Sequence, residues 1–189
     1  LPLVRRASLH GAVARALESL ATDPSTTPWL ALAHHFGESD RPEGAVRAAE
    51  CAEAAARRAF GLLAFEDAAR ELGAALHWLE FGPTVAPERE ARLLIELGRA
   101  HLFAGDPSRA ESDFSRAASV AREADAIDAL AIATVELEEI RPATAGGDPQ
   151  ERIARVEEVL LQLAPECSAL RAELQIALAR DLVASDPQR

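Results

Sequence analysis

Apolar residues recur along this chain at spacings of three and four, and Pro and Gly interrupt the pattern at helix-length intervals. The first run predicts a helix from about Val4 to Leu20, with Leu9, Val13, Ala16, Leu17 and Leu20 on one face, ended by Ala21 to Ser25. Thr26 or Thr27 is placed to cap a second helix carrying Trp29, Leu30, Leu32, Ala33 and Phe36, with Pro28 in its first turn and a stop near Gly37. Ser39 or Asp40 is placed to cap a third, with Pro42 at its start; it runs through Val46, Ala49, Ala52, Ala56 and Ala59 to Phe60. A fourth spans about Ala64 to Glu80 and ends at Phe81-Gly82-Pro83. Pro87, Pro107, Pro149 and Pro165 open later helices, where a missing N–H does no harm. A further helix runs from about Asp125 to Ile140, and the last frays near Asp186-Pro187. The expectation is an all-α chain of about nine helices forming one domain over 1–189, with a mobile loop or weaker boundary at 141–148.

Composition sharpens this picture. Apolar residues make up 49% of the chain, yet aromatics make up only 4% and Tyr is absent; Ala and Leu, strong helix formers, dominate. Small alanines suit closely approaching helices. The formal charge is −11 and every basic residue is Arg. A nucleic-acid surface needs a basic stripe to neutralise phosphates, and an anionic membrane repels a chain of this sign, so neither is an expected partner. Arg and acidic residues interrupt every apolar run before membrane-spanning length. Cys51 and Cys167, far apart and each in an apolar pattern, read as small buried thiols in a reducing, cytoplasmic setting. The start at Leu1 and the lack of any Met point to a piece of a longer protein.

A repeat lies inside the helical pattern. Leu94, Leu97, Gly98 and His101 on one helix, a turn at Gly105-Asp106-Pro107, then Ala110, Phe114 and Ala117 on the next meet the positional demands of a helix-turn-helix repeat of about 34 residues. A small residue admits the partner helix and an aromatic fills the gap between neighbours. His101 stands where a tyrosine is usual, and the terminal proline is missing. A degenerate copy covers Glu50 to Glu80, with Ala55 and Ala56 at the Leu-Gly pair and Ala68, Leu72 and Ala75 following; the loop from Phe81 to Pro87 lengthens the period. Asp125 to Leu163 forms a weaker third pair. The expected architecture is a tetratricopeptide-like superhelix of stacked antiparallel helix pairs. In that register Arg57 and Arg99 fall at equivalent inward positions, flanked by Arg92, Glu96, Leu102 and Phe103. Such a groove suits a carboxylate-bearing peptide; the same arginines are also placed to pair with Glu53 and Glu96 on solvated faces.

Chemistry is sparse. His34 and His35 are adjacent, so their side chains leave the helix about 100° apart and are poorly placed to share a metal. His10, His77 and His101 read as isolated. Gly146-Gly147 lacks the Lys-Ser/Thr of a nucleotide loop. Glu88 and Glu90, and Glu136, Glu138 and Glu139, read as solvated faces; Ser8, Ser115 and Ser119 have no poised base nearby in sequence. The expectation is no catalysis, no metal and no cofactor.

Leu9-His10 with Val13 to Glu18 resembles the opening helix of the C-terminal helical arm in large ATP-dependent bacterial regulators. Leu30 to Phe36 resembles their next helix, and Ala45 to Ala59 followed by Ala64 to Ala69 resembles their first full repeat. The resemblance covers about Arg5 to Arg122 and weakens from Asp125 onward. Those regulators join a STAND-type or AAA-like NTPase to a tetratricopeptide-like arm and often to a LuxR-type DNA-binding domain. The resemblance implies a sensor and coupling arm of a transcription regulator, whose partner is a protein, a peptide or the NTPase domain of the same chain, or which senses a small effector. A stand-alone scaffold or adaptor is the second reading; a helical enzyme or small-molecule-binding domain is the third.

Overall fold

A computed structural model describes residues 2–39, 42–82, 86–140 and 148–185. Among them the chain forms nine α-helices and no strand: α1 (Leu3–Leu20), α2 (Trp29–Gly37), α3 (Glu43–Gly61), α4 (Phe65–Leu79), α5 (Pro87–Phe103), α6 (Pro107–Glu123), α7 (Ile127–Ile140), α8 (Pro149–Gln162) and α9 (Ser168–Ser185). The all-α class, the helix number and the packing of successive helices in pairs agree with the sequence pattern. Contacts divide the chain into two compact units, residues 1–86 with 99–105, and residues 87–98 with 106–189, so α5 contributes to both.

In the first unit α1 meets α2, α2 meets α3, and α3 packs most extensively on α4. One face of α3 is almost entirely alanine: Ala45, Ala48, Ala49, Ala52, Ala55, Ala56 and Ala59 are buried, at the spacing of one helical stripe. On α4, Ala68, Leu72 and Ala75 are fully buried. Three residues join the two helices. Ala64 N–H donates to Ala59 C=O at 2.9 Å and Leu63 N–H to Phe60 C=O at 3.0 Å, which is a Schellman closure. Its left-handed position is held by Leu63, at φ 58°.

In the second unit the α6–α7 turn repeats that closure, with Ala126 N–H to Ala121 C=O at 2.9 Å and Asp125 at φ 58°. Asp106 and Asp148 cap α6 and α8, accepting from the N–H groups of Arg109 and Gln150, with Pro107 and Pro149 in the first turns as expected. Ala91 and Leu94 of α5 and Ala110, Phe114 and Ala117 of α6 are fully buried. Gly98 permits close approach: a β-carbon there would lie 2.5 Å from Phe114 Cε1 and 2.7 Å from Cδ1. Helix α7 packs on α6, α8 and α9.

Several local expectations change. On α1, Leu9, Val13 and Leu20 are exposed and the buried positions are Gly11 and Ala14. Neither Thr26 nor Thr27 caps α2; the cap is Pro28, and the Thr27 hydroxyl donates back to Asp23 C=O at 2.7 Å. Ser39 donates back to Phe36 C=O, α3 starts after Pro42, and Asp40 lies outside the described residues. Helix α9 begins at Ser168, three residues beyond Pro165. The 141–148 loop lies outside the described residues except for Asp148, as do 83–85 of the Phe81–Pro87 loop. Glu138 is not on a solvated face. It is 3% exposed, with Oε2 3.9 Å from buried Arg152, whose guanidinium grips Asp181 at 3.0 and 3.3 Å. The partners arrive from α8 and α9, which is why a reading of α7 alone misplaces this acid.

Two substitutions with opposite signs test this packing. Gly98→Ala forces a methyl onto the buried Phe114 ring and is expected to destabilise by about 1–3 kcal/mol. Leu63→Gly relieves a left-handed leucine that is 73% exposed, and is expected to stabilise by about 1 kcal/mol. Urea unfolding followed by circular dichroism reads both; equal effects of one sign contradict the turn and contact geometry described.

Candidate functional site

The six residues of the anticipated groove come from α3 and α5. Arg57, on α3, is exposed and sits 3.9 Å from the Glu53 carboxylate one turn back, the solvated pairing that was the alternative. Arg99, Leu102 and Phe103 belong to the same unit as Arg57; Arg92 and Glu96 belong to the other. Arg92 Nε donates to Glu88 C=O at 3.3 Å, and Glu96 and Arg99 are exposed on α5. Phe103 gains the company that sequence did not foresee: its ring centre lies 5.1 Å from that of Phe65, which lies 5.9 Å from Phe60. This aromatic row gathers where α3 ends and α4 begins.

A cavity of the first unit lies among α2, α3 and α4. It is a groove of about 410 Å³ with an apolar lining that includes Trp29, Leu30, Ala55, Ala59 and Leu62, and with Arg58, Asp67, Arg70 and Glu71 on its polar side. Its wall is fixed by local hydrogen bonds. Trp29 Nε1 donates to Pro24 C=O at 3.1 Å. Asp23 organises the turn before α2, accepting from Ser25 N–H at 2.8 Å and Ser25 Oγ at 2.7 Å; those bonds, the side-chain one foremost, hold its carboxyl below the usual carboxylate value. Arg70 is gripped by Asp67 at 2.7 Å and Glu71 at 3.0 Å, which raises its pKa through the hydrogen bond to Asp67 first. Leu30, Leu62 and Leu63 are 54%, 70% and 73% exposed around this groove and the adjoining turn. The sequence signal was available: Leu62-Leu63 follows an alanine-faced helix and continues no buried stripe.

A second, polar cleft of about 360 Å³ lies among α1, α2 and α3, lined in part by Arg15, Glu18, Ser39, Glu43 and Arg47. Arg47 bonds to both Glu18 and Glu50 and lies over the Phe36 ring at 5.5 Å.

The histidines depart most from expectation. His10 is not isolated: α1 carries it to α2, where its ring centre lies 5.5 Å from that of His34 and 5.0 Å from that of His35, and the two α2 rings are 5.2 Å apart. His10 Nδ1 and His35 Nδ1 are 3.0 Å apart, so one donates its proton to the other. Neighbouring positions on α2 do point apart, but both rings lean toward the third from α1. His77 instead packs near Trp78 and Phe81. Desolvation, then the charges of His10 and His34, lowers the pKa of His35.

The chain matches no protein-family model, no curated protein and no solved structure. Among the described residues no helix is long and apolar enough to cross a membrane.

The histidine geometry has a direct readout. In metal-free protein, the His35 imidazole is expected to titrate below the ordinary value of 6.5 by NMR. The fold favours the neutral ring, so its contribution to stability is present above pH 6.5 and is lost as pH falls through the lowered midpoint. A midpoint at or above the ordinary value contradicts the cluster.

Proposed function

We propose that this chain is a non-catalytic protein-interaction module of tetratricopeptide-like helix pairs, acting as the sensor and coupling arm of a larger signal-responsive transcription regulator. The observation that carries the interaction reading is the α2–α4 groove, whose apolar floor is bordered by pre-paired charges and by leucines that face solvent. Such an arrangement suits an apolar side chain anchored from a partner, with Arg58 and the Arg70 cluster setting its orientation. The repeat reading draws support from Gly98 against Phe114 and from Ala110, Phe114 and Ala117 lying on one buried face.

The non-catalytic reading draws support from the nucleophiles themselves. Burial pushes the Cys51 thiol up to about 11, well away from a reactive thiolate. Cys167 is less buried than the sequence suggested, but its pKa is also raised, by desolvation and then by the Asp128 carboxylate 3.6 Å away. Ser119 Oγ donates within its own helix to Ser115 C=O at 3.2 Å. The coupling role rests on the ordered resemblance of Leu9 to Ala69 to regulator arms; the NTPase domain of the same parent chain is the partner it implies.

Binding to that NTPase domain, taken from the reading frame that encodes this segment, is the test. Isothermal titration is run with the parent segment, with Leu30→Glu/Leu62→Glu, and with Arg57→Glu/Arg99→Glu. Saturable binding weakened at least tenfold, about 1.4 kcal/mol, by the leucine pair is the expected result. Loss confined to the arginine pair moves the contact to the arginine-bearing faces and overturns the groove. A reading frame without an NTPase, or an NTPase that does not bind, overturns the coupling role and leaves the scaffold reading.

A further inference from the structure

Three of the five histidines of this chain come from two consecutive helices and meet at one place. One candidate ligand atom from each of His10, His34 and His35 lies within 4.8 Å of the other two. Among the described residues no other group of His, Cys, Asp or Glu side chains meets that condition. A tetrahedral zinc ion at about 2.0–2.1 Å from three imidazole nitrogens places the ring centres about 5 Å from one another. The three separations here are 5.0, 5.2 and 5.5 Å. The rings therefore already stand at the spacing of a three-imidazole face, with a nitrogen of each within 4.8 Å of the other two.

From this geometry we infer that His10, His34 and His35 form a binding site for a divalent transition metal of the zinc class, which fastens α1 to α2. Imidazole nitrogen suits Zn²⁺ and its neighbours Ni²⁺ and Cu²⁺, and does not suit Ca²⁺ or Mg²⁺, which take oxygen ligands. His34 is exposed, so the fourth position of the ion faces water or an incoming donor. A fastening role fits the weakness of α1's own packing. Only Gly11 and Ala14 are buried along it, while Leu3, Val4, Leu9, Val13 and Leu20 are exposed. The register of the two helices is set independently of any ion, because Arg6, one turn before His10, pairs with Glu38, one turn after His34, at 3.6 Å. That pair and the histidines lie along one seam between α1 and α2.

The test uses the chain without a histidine tag and with Cys167→Ser, which removes the less buried thiol as a competing ligand. Zn²⁺ titrated by calorimetry is expected to bind one ion per chain at micromolar or tighter affinity. Co²⁺ is expected to give the strong visible bands of a tetrahedral nitrogen site. His10→Ala, His34→Ala and His35→Ala are each expected to weaken Zn²⁺ by more than about tenfold, since loss of even an outer-shell partner costs 10–100-fold. His77→Ala and His101→Ala are expected to leave it unchanged. Zn²⁺ is also expected to raise the unfolding temperature of the parent and not that of His10→Ala. All three ring positions are at least partly exposed, so the variants keep the fold, as circular dichroism verifies. Absence of one-to-one binding overturns the site. Binding that survives His10→Ala reduces it to a surface pair on α2 and overturns the inference. Equal loss in His77→Ala marks non-specific uptake and does the same.

Discussion

How closely α3 can approach its neighbours governs the first unit. Seven buried alanines on one face bring its backbone near α2 and α4 without large side chains between them. Each methyl removes little apolar area from water, so the stability of such an interface comes from dense dispersion contact along the whole seam. Larger side chains inserted in that seam would push the helices apart. The second unit solves the same problem once with a glycine, where Gly98 takes the Phe114 ring directly against its backbone. Both solutions need a precise register, and the three-residue Schellman turns at Leu63 and Asp125 supply it at the cost of two left-handed residues that are not glycine.

An alanine core also leaves large apolar residues outside. Leu30, Leu62, Leu63 and Phe103 remain exposed, and the first three lie around the α2–α4 groove and the turn that follows α3. Arg70, which lines that groove, is held in advance by two acids, and Arg47 in the polar cleft by two more. Side chains already fixed in this way have less freedom left to lose in any further contact. The buried Arg152–Asp181 pair with Glu138 beside it is a different device. Away from water its value lies in joining α7, α8 and α9 in one arrangement, because any displaced register leaves a charge uncompensated.

The first unit thus carries two surfaces of different chemistry. One is apolar with a charged border, at α2, α3 and α4; the other is a nitrogen-rich seam between α1 and α2. Helix α2 belongs to both, presenting Trp29 and Leu30 at its start and His34 and His35 near its end. The histidine seam and the groove wall therefore share one helix of nine residues.

Helix number, most boundaries and the alanine stripe of α3 were legible in the sequence, because they follow from local periodicity, from Pro in first turns and from the helix propensity of Ala and Leu. The buried positions Ala68, Leu72, Ala75, Ala110, Phe114 and Ala117 were legible for the same reason. What escaped depended on residues distant in the chain. The apolar run of α1 predicted the wrong buried face, since little packs on that helix and periodicity reports only a propensity to be covered. Glu138 looked solvated until α8 and α9 brought Arg152 and Asp181. His10 looked solitary because its partners lie 24 and 25 residues away, and no local rule says which face of one helix a loop will lay against the next. The sequence by itself determined where helices form and which stripes seek burial; only the tertiary structure decided which side chains from different helices meet, because that depends on turn geometry and on how closely each pair of backbones can approach.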